Sequence, residues 1–480
     1  MAASELKNAP APFWVAGTPT SGAESFEVRH PHDERVAHEV SIPAAADVEA
    51  AVSAAVEVAE ELASLPAYVR SDALAHVSRR LGEEREDMAR TITAESGKPI
   101  RWSRVEVQRT LLNYQRAAEE AKRFSGEIVR LDTDPIGAGR VGWVRRFPRG
   151  PVLGISPFNF PLGLASHKVA PAIAVGAPIV IKPAPQTPLT ALRLAELIAE
   201  TDLPAGALSV LPLPNGPALD ALVADPRLPI ISFTGSEVGW KIKASQPRKH
   251  VLLELGGNAA VVVHEDADLG AAATSIAMGG FVQAGQTCIA TQRVLVHRSV
   301  ADEFGALLVE RTRGLATGDP YDEETVVGPL VSSAAADRVT ASIEAAIGAG
   351  AELLTGGERD GNTIAPAVLA GVEPGMDLWS EEIFGPVLAL STYDSVDDAF
   401  GAVNDSRFGL QAGVFTSNIE LAMRAHRELE VGAVMIGESP SFRADALPYG
   451  GWKASGVGRE GIRAAMDELT DTRALVLRGI

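Results

Sequence analysis

The chain has 480 residues, with 43 Lys and Arg against 62 Asp and Glu, a formal charge of −19, 46% hydrophobic content and one cysteine. At about 100–200 residues per domain this length allows two or three domains with real cores, and the balanced composition excludes a disordered or fibrous chain. A single cysteine excludes intrachain disulfides, Cys₄ zinc sites and iron–sulfur clusters, the nine histidines form no HExxH pattern, and the acidic balance argues against nucleic-acid binding, so neither a metal nor a nucleic-acid partner is expected.

Taken in chain order, residues 1–10 carry charges but no apolar stretch behind them, so no secretory leader is read there. Apolar residues at helical spacing predict helices over 47–65, 70–96 (ending at Gly97) and 105–124. The segment 127–147 changes character. β-prone Ile128, Val129, Val141, Trp143 and Val144 flank the turn formers Asp134, Pro135, Gly137 and Gly139, which predicts a hairpin. From 151 to 263 short apolar runs (151–155, 178–181, 208–211, 229–233, 251–253 and 260–263) alternate with helical stretches at 188–201, 216–224 and 237–245. Unpatterned strands between amphipathic helices signify a parallel sheet buried on both faces, a doubly wound α/β domain that binds ligands at the carboxyl ends of its strands. A second α/β segment follows, with helices at 266–283, 300–313 and 333–350 and strands at 292–296, 387–391, 410–415 and 433–436, before a terminal strand at 472–477. The longest apolar run, 169–181, is broken by Pro171, Gly176 and Pro178 and is shorter than the ~20 residues a bilayer requires. A soluble, cytoplasmic protein with no membrane partner is expected.

Three residues stand out chemically. Cys288 lies in Gly285-Gln286-Thr287-Cys288-Ile289, between a helix and a strand. A lone cysteine is more often core filler, but these small and polar neighbours make a poor core. Glu254 ends an apolar strand and precedes Gly256-Gly257, a setting for a general base as well as for a solvated terminus. Asn159 sits in Ser156-Pro157-Phe158-Asn159-Phe160-Pro161, where two prolines fix an amide suited to an oxyanion or to ordinary turn chemistry. Gly456 to Gly461 matches GxGxxG, but no buried strand precedes it and no βαβ unit contains it. Thr234-Gly235-Ser236, between a strand and a helix, is the better phosphate turn, with Lys182 at the same sheet edge.

Together these segments resemble the aldehyde dehydrogenase superfamily, of the NAD(P)-dependent, non-acylating type. The resemblance extends from Glu95-Ser96-Gly97-Lys98-Pro99 to Pro448-Tyr449-Gly450-Gly451-Trp452-Lys453, through Glu381-Glu382-Ile383-Phe384-Gly385-Pro386 and the 34-residue spacing of Glu254 and Cys288. It implies a doubly wound dinucleotide-binding domain (1–125 and 148–256), a second α/β catalytic domain (257–450) and a small β oligomerisation arm (126–147 and 465–480). By the same resemblance Cys288 is the nucleophile, Asn159 the oxyanion amide, Glu254 the general base and Lys168 part of a proton relay. Ser156, Pro157, Phe158, Lys182, Pro185, Gly235, Ser236, Leu255, Gly256, Glu382 and Phe384 would contact NAD or NADP. Thr287 and Ile289 would face the substrate, a short polar or anionic aldehyde oxidised to its acid through a Cys288 thioester. Arg109 and Arg443 could reach its anionic group, although structural salt bridges or surface contacts are the commoner role for such arginines. A homodimer or homotetramer is expected. Where NAD-preferring members carry Glu three residues after the lysine, this chain has Pro185, so NADP should be tolerated. The turn after Gly235-Ser236 is one residue shorter than usual, and Gly437 replaces a frequent Asn near the expected substrate entrance. A coenzyme A-acylating dehydrogenase and a non-catalytic nucleotide-binding protein are the competing classes.

Overall fold

A computed structural model describes residues 9–479. Five parallel strands, β1 (Val152–Ile155), β2 (Ile179–Lys182), β3 (Leu208–Val210), β4 (Ile230–Thr234) and β5 (His250–Glu254), form the first sheet in the order β3-β2-β1-β4-β5. The antiparallel pieces Phe13–Val15 and Thr18–Thr20 extend it on one side and Gly456–Val457 on the other. Strand order reverses between β1 and β4, and such a switch point opens a crevice at the carboxyl ends of the strands. Apart from His250 and Thr234 at the ends, every residue of these five strands is buried, which explains why they read as continuous apolar runs.

The second sheet contains β6 (Ala259–Val263), β7 (Thr291–His297), β8 (Ala367–Ala370), β9 (Val387–Tyr393), β10 (Gln411–Phe415) and β11 (Ala433–Ile436), ordered β8-β9-β7-β6-β10-β11 and parallel throughout. An antiparallel edge strand, Glu352–Thr355, flanks β8. Only Leu255 to Asn258 separates β5 from β6, so the chain leaves the carboxyl edge of one sheet and enters the amino edge of the other within four residues. Each sheet carries its own apolar core. A small third cluster of Ile289, Leu410 and Tyr449 holds Cys288 at the seam. The predicted hairpin forms as Glu127–Arg130 and Arg140–Pro148, and Thr470–Arg478 pairs along the second of these strands.

Three expectations change. Ahead of the first predicted helix, where no element is expected, Glu24–Arg29 and Val36–Ile42 form a hairpin whose half-exposed strands lack a strict apolar alternation. The helix expected over 70–96 breaks at Glu84 into Ala67–Glu83 and Arg85–Ser96, and Gly97 ends the latter at φ +68°, a left-handed cap that glycine adopts without strain. The helix Pro161–Val175 escaped notice because every residue but Gly163 is buried, leaving no amphipathic period, and Pro171 lies inside it. No helix among the described residues is long and apolar enough to cross a membrane.

Candidate active site

The loop carrying Cys288 follows the helix Leu269–Phe281, started by the Asp268 carboxylate accepting from the Ala271 N–H at 3.0 Å. Gln283, Ala284 and Gly285 then take φ values of +55°, +55° and +68° in succession. Left-handed backbone at two non-glycine residues costs about 1–3 kcal/mol each and persists only where neighbours fix it. Gln286 supplies such a neighbour. Its Nε2 donates to the carbonyls of Gln283 (3.2 Å) and Pro329 (3.3 Å), and its Oε1 accepts from the Val331 N–H at 2.9 Å. Cys288 is half-buried, with Sγ 3.0 Å from Tyr449 Oη. Desolvation pushes the thiol up to about 12, while the Tyr449 hydrogen bond and the Arg443 charge act in the opposite direction.

Asn159 lies between the end of β1 and the helix Pro161–Val175. Its Nδ2 donates to the Gln286 carbonyl at 3.0 Å, which leaves the second amide hydrogen free, and its backbone carbonyl accepts from Gln283 Nε2. The loop is set from below by Glu106, whose Oε1 accepts the Leu162 and Gly163 N–H groups at 3.0 and 2.9 Å. Glu106 is in turn paired with the fully buried Lys98, whose Nζ lies 3.9 Å from the centre of the Phe160 ring.

One cavity of about 580 Å³, including its open mouth, contains Cys288, Thr287, Ile289, Asn159, Arg109 and Arg443 among its walls. Arg109 grips Asp445 through contacts of 2.9, 3.1 and 3.2 Å, and Arg443 Nε approaches the same carboxylate at 3.1 Å. Its Nη2 reaches Glu460 at 3.2 Å. Burial alone would raise Glu460, but Lys168, Arg443 and His167 outweigh it and hold the carboxyl at about 2. Both arginines are therefore structural ion-pair partners and cavity walls at once.

Glu254, at the end of β5, lines a neighbouring internal cavity together with Lys168, Glu460 and His167, and His167 faces both cavities. Its Oε2 is buried with no hydrogen-bond partner among the described residues. Desolvation first, then the charge of Glu460, raises its carboxyl well above the usual range. Lys168 Nζ donates to Thr234 Oγ1 (2.7 Å) and Ser232 Oγ (3.2 Å) and pairs with Glu460 at 3.3 Å.

Along the carboxyl edge of the first sheet, Ser156 Oγ is buried without a hydrogen-bond partner among the described residues, and Lys182 Nζ meets Asn215 Oδ1 at 3.2 Å. Burial lowers that ammonium to about 8. The Gly235 N–H extends the sheet by donating to the Glu254 carbonyl at 3.0 Å, and Ser236 stands exposed just ahead of the helix Val238–Ser245. A Cβ on Gly256 would collide with the Glu382 carboxylate, whose Oε1 accepts from the Gly257 N–H at 3.0 Å. Burial raises Glu382 to about 7. Phe384 meets the edge of Phe158 with ring centres 5.9 Å apart. Pro157 and Pro185 border this edge, and Leu255 donates its N–H to the Ser455 carbonyl at 2.9 Å. The orphaned hydroxyl, the thinly paired lysine and the glycine cradle suit a dinucleotide.

Gly437 does not line the cavity, and its φ of +70° gives it a backbone role after β11. The GxGxxG match leads from an antiparallel edge strand, Gly456–Val457, into the short helix Ile462–Glu468, and no buried parallel strand precedes it. Tyr449, His167, Asp445, Glu106 and Glu460 were not singled out from sequence. Glu460 lies inside that GxGxxG match, and Tyr449 inside the segment Pro448-Tyr449-Gly450-Gly451.

Residues 17–475 match the model of the aldehyde dehydrogenase family. A 3-sulfolactaldehyde dehydrogenase of Priestia aryabhattai is 39% identical over 466 residues, 97% of each chain. Aldehyde dehydrogenase 21 of Physcomitrella patens, solved in complex with the reaction product succinate, superimposes with a TM-score of 0.95 at 40% identity, covering 98% of this chain and 99% of that one. Glyceraldehyde-3-phosphate dehydrogenase of Methanocaldococcus jannaschii, complexed with NADP, gives 0.91 at 34% identity over 95% of this chain and all of its own. With sheet order, seam and near full-length similarity in agreement, the chain belongs to the aldehyde dehydrogenase family of oxidoreductases.

Proposed function

We propose that this enzyme oxidises a short aldehyde bearing one negative charge to its carboxylic acid, using NAD or NADP and a covalent bond to Cys288. The observation that carries the reading is the cavity that unites one thiol, one free amide hydrogen and two guanidinium groups sharing a single carboxylate. Glu106 is balanced by Lys98 and Glu460 by Lys168, so the shared Asp445 leaves one positive charge uncompensated. The three relatives, named for a sulfonated aldehyde, solved with succinate, or named for a phosphorylated one, support an anionic terminus. Pro185 offers no carboxylate against a 2′-phosphate, which supports the use of NADP beside NAD.

In this reading the Cys288 thiolate adds to the aldehyde carbon, and the carbonyl π electrons move onto oxygen, an oxyanion to which Asn159 Nδ2 and the Cys288 N–H donate hydrogen bonds. Glu382 and Phe384 would hold the nicotinamide of a bound dinucleotide, which would supply hydride acceptance. Glu254 then takes a proton from water, which attacks the resulting thioester, expelling the acid and restoring Cys288. Lys168 and Glu460 continue the proton path from Glu254. Residues 1–125 with 148–256 hold the dinucleotide and 257–450 the nucleophile. The arm 126–147 with 465–480 joins subunits as a dimer or tetramer in the cytoplasm, a role supported by its exposed Ile128, Trp143, Leu475 and Val476. Cys288→Ala should abolish acid formation while dinucleotide binding persists, and residual oxidation at the wild-type rate would falsify the assignment. Acid, not a thioester, should form when coenzyme A is present.

A further inference from the structure

We propose that Tyr449 is a catalytic residue that donates its hydroxyl hydrogen to the Cys288 sulfur, and that Arg443 holds it in place to do so. The inference rests on Cys288 being the nucleophile. Tyr449 Oη lies 3.0 Å from Sγ, and no other side-chain hydrogen bond to that sulfur is present among the described residues. Tyr449 is buried, at 6% exposure. Desolvation, then the nearby sulfur charge, keeps Tyr449 far above its ordinary range, so the phenol retains its proton and is the donor once Cys288 ionises.

Backbone and cation fix the ring. Tyr449 and Glu460 exchange both backbone hydrogen bonds, at 2.9 and 2.7 Å, in an isolated antiparallel bridge. The Arg443 guanidinium carbon sits 3.8 Å from the ring centre, and its nitrogens are anchored on Asp445 and Glu460. A cation stacked on a phenol draws electron density from the ring and makes its O–H a better donor. The charged groups acting on Cys288 are Arg443, which favours the thiolate, and Glu254 and Glu382, which oppose it. His167, Asp445 and Arg109 face it across the cavity. Among the described residues no histidine hydrogen-bonds the sulfur, and in a pocket that desolvates the thiol Tyr449 is the side chain placed to stabilise its anion by hydrogen bonding.

The test is the pH dependence of Cys288 alkylation by iodoacetamide, followed by mass, in the full-length enzyme. Tyr449→Phe should move the profile to higher pH and slow alkylation about tenfold at pH 7.5, the effect of losing one hydrogen bond to a charged group. Replacing Tyr449 with 3,5-difluorotyrosine, a stronger donor of nearly equal shape, should move the profile to lower pH. A role in packing alone predicts no such reversal of sign. Melting temperature and dinucleotide binding, compared with wild type, confirm that each variant is folded. Profiles that superimpose on wild type, or two variants that shift in the same direction, overturn the proposal. Retained oxidation in Cys288→Ala would instead remove the nucleophile reading itself, whatever the Tyr449 variants do.

Discussion

Replacing Arg109 with Gln isolates the recognition of substrate charge. Arg109 projects from the helix Ile100–Arg123 with 37% of its side chain exposed, so its loss opens no core cavity. Asp445 keeps Arg443 at 3.1 Å and His167 at 3.3 Å, so the carboxylate is not stranded. Two unit charges 4 Å apart interact by about 4 kcal/mol at an effective dielectric of 20. Asp445 already engages this guanidinium and solvent reaches a third of it, which brings the expectation down to about 1.5–2.5 kcal/mol, within the range of a hydrogen bond to a charged group. At about 1.4 kcal/mol per factor of ten, kcat/KM should fall roughly 10- to 70-fold for a four-carbon aldehyde ending in a carboxylate. For butanal, equal in length and uncharged, it should change less than about threefold. Raising the salt concentration should narrow the wild-type difference between the two, because the pairing is partly exposed. Equal losses for both aldehydes would refute the reasoning and make Arg109 a strut for Asp445. No loss for the charged one would refute it as well.

Other outcomes follow from the same geometry. Because burial raises Glu254, the carboxylate needed as base forms only as pH rises, so steady-state turnover should climb with pH through that ionisation. Glu254→Gln should lose this limb yet keep a rapid burst of about one reduced dinucleotide per site, seen by stopped-flow absorbance. With Pro185 after Lys182, kcat/KM for NAD should exceed that for NADP by less than about a thousandfold, and Pro185→Glu should move the ratio toward NAD by about tenfold or more, the effect of a carboxylate set against a 2′-phosphate. Lys98→Met leaves Glu106 buried and unpaired, which costs about 3–5 kcal/mol. The lower melting temperature should be partly restored by adding Glu106→Gln.

The parallel strands and the three central residues were legible because each signal is local. An apolar run marks a doubly buried strand, and Cys288, Glu254 and Asn159 sit in short segments with unusual neighbours. What stayed hidden depends on side chains distant in sequence. Tyr449 meets Cys288 across 161 positions and Glu106 caps a helix 56 positions away, so neither leaves a spacing to read. Arg443 looked like a choice between ion pair and ligand, but in three dimensions the ion pairs are what aim it into the cavity. The helix Pro161–Val175 was invisible for the opposite reason, since full burial erases the periodicity by which helices are recognised.

The reciprocal bonds between Asn159 and the segment Gln283 to Gln286 give the two halves of the molecule a common ruler. The amide hangs from one sheet and the thiol from the other, but each loop holds the other by a side chain on a carbonyl. If the sheets rock to admit a dinucleotide, these two groups travel as one piece, and the hinge lies elsewhere. Gln283, which touches neither aldehyde nor cofactor in this reading, therefore sets the length of that ruler. Shortening it by one methylene to Asn should detune the rate for every aldehyde alike.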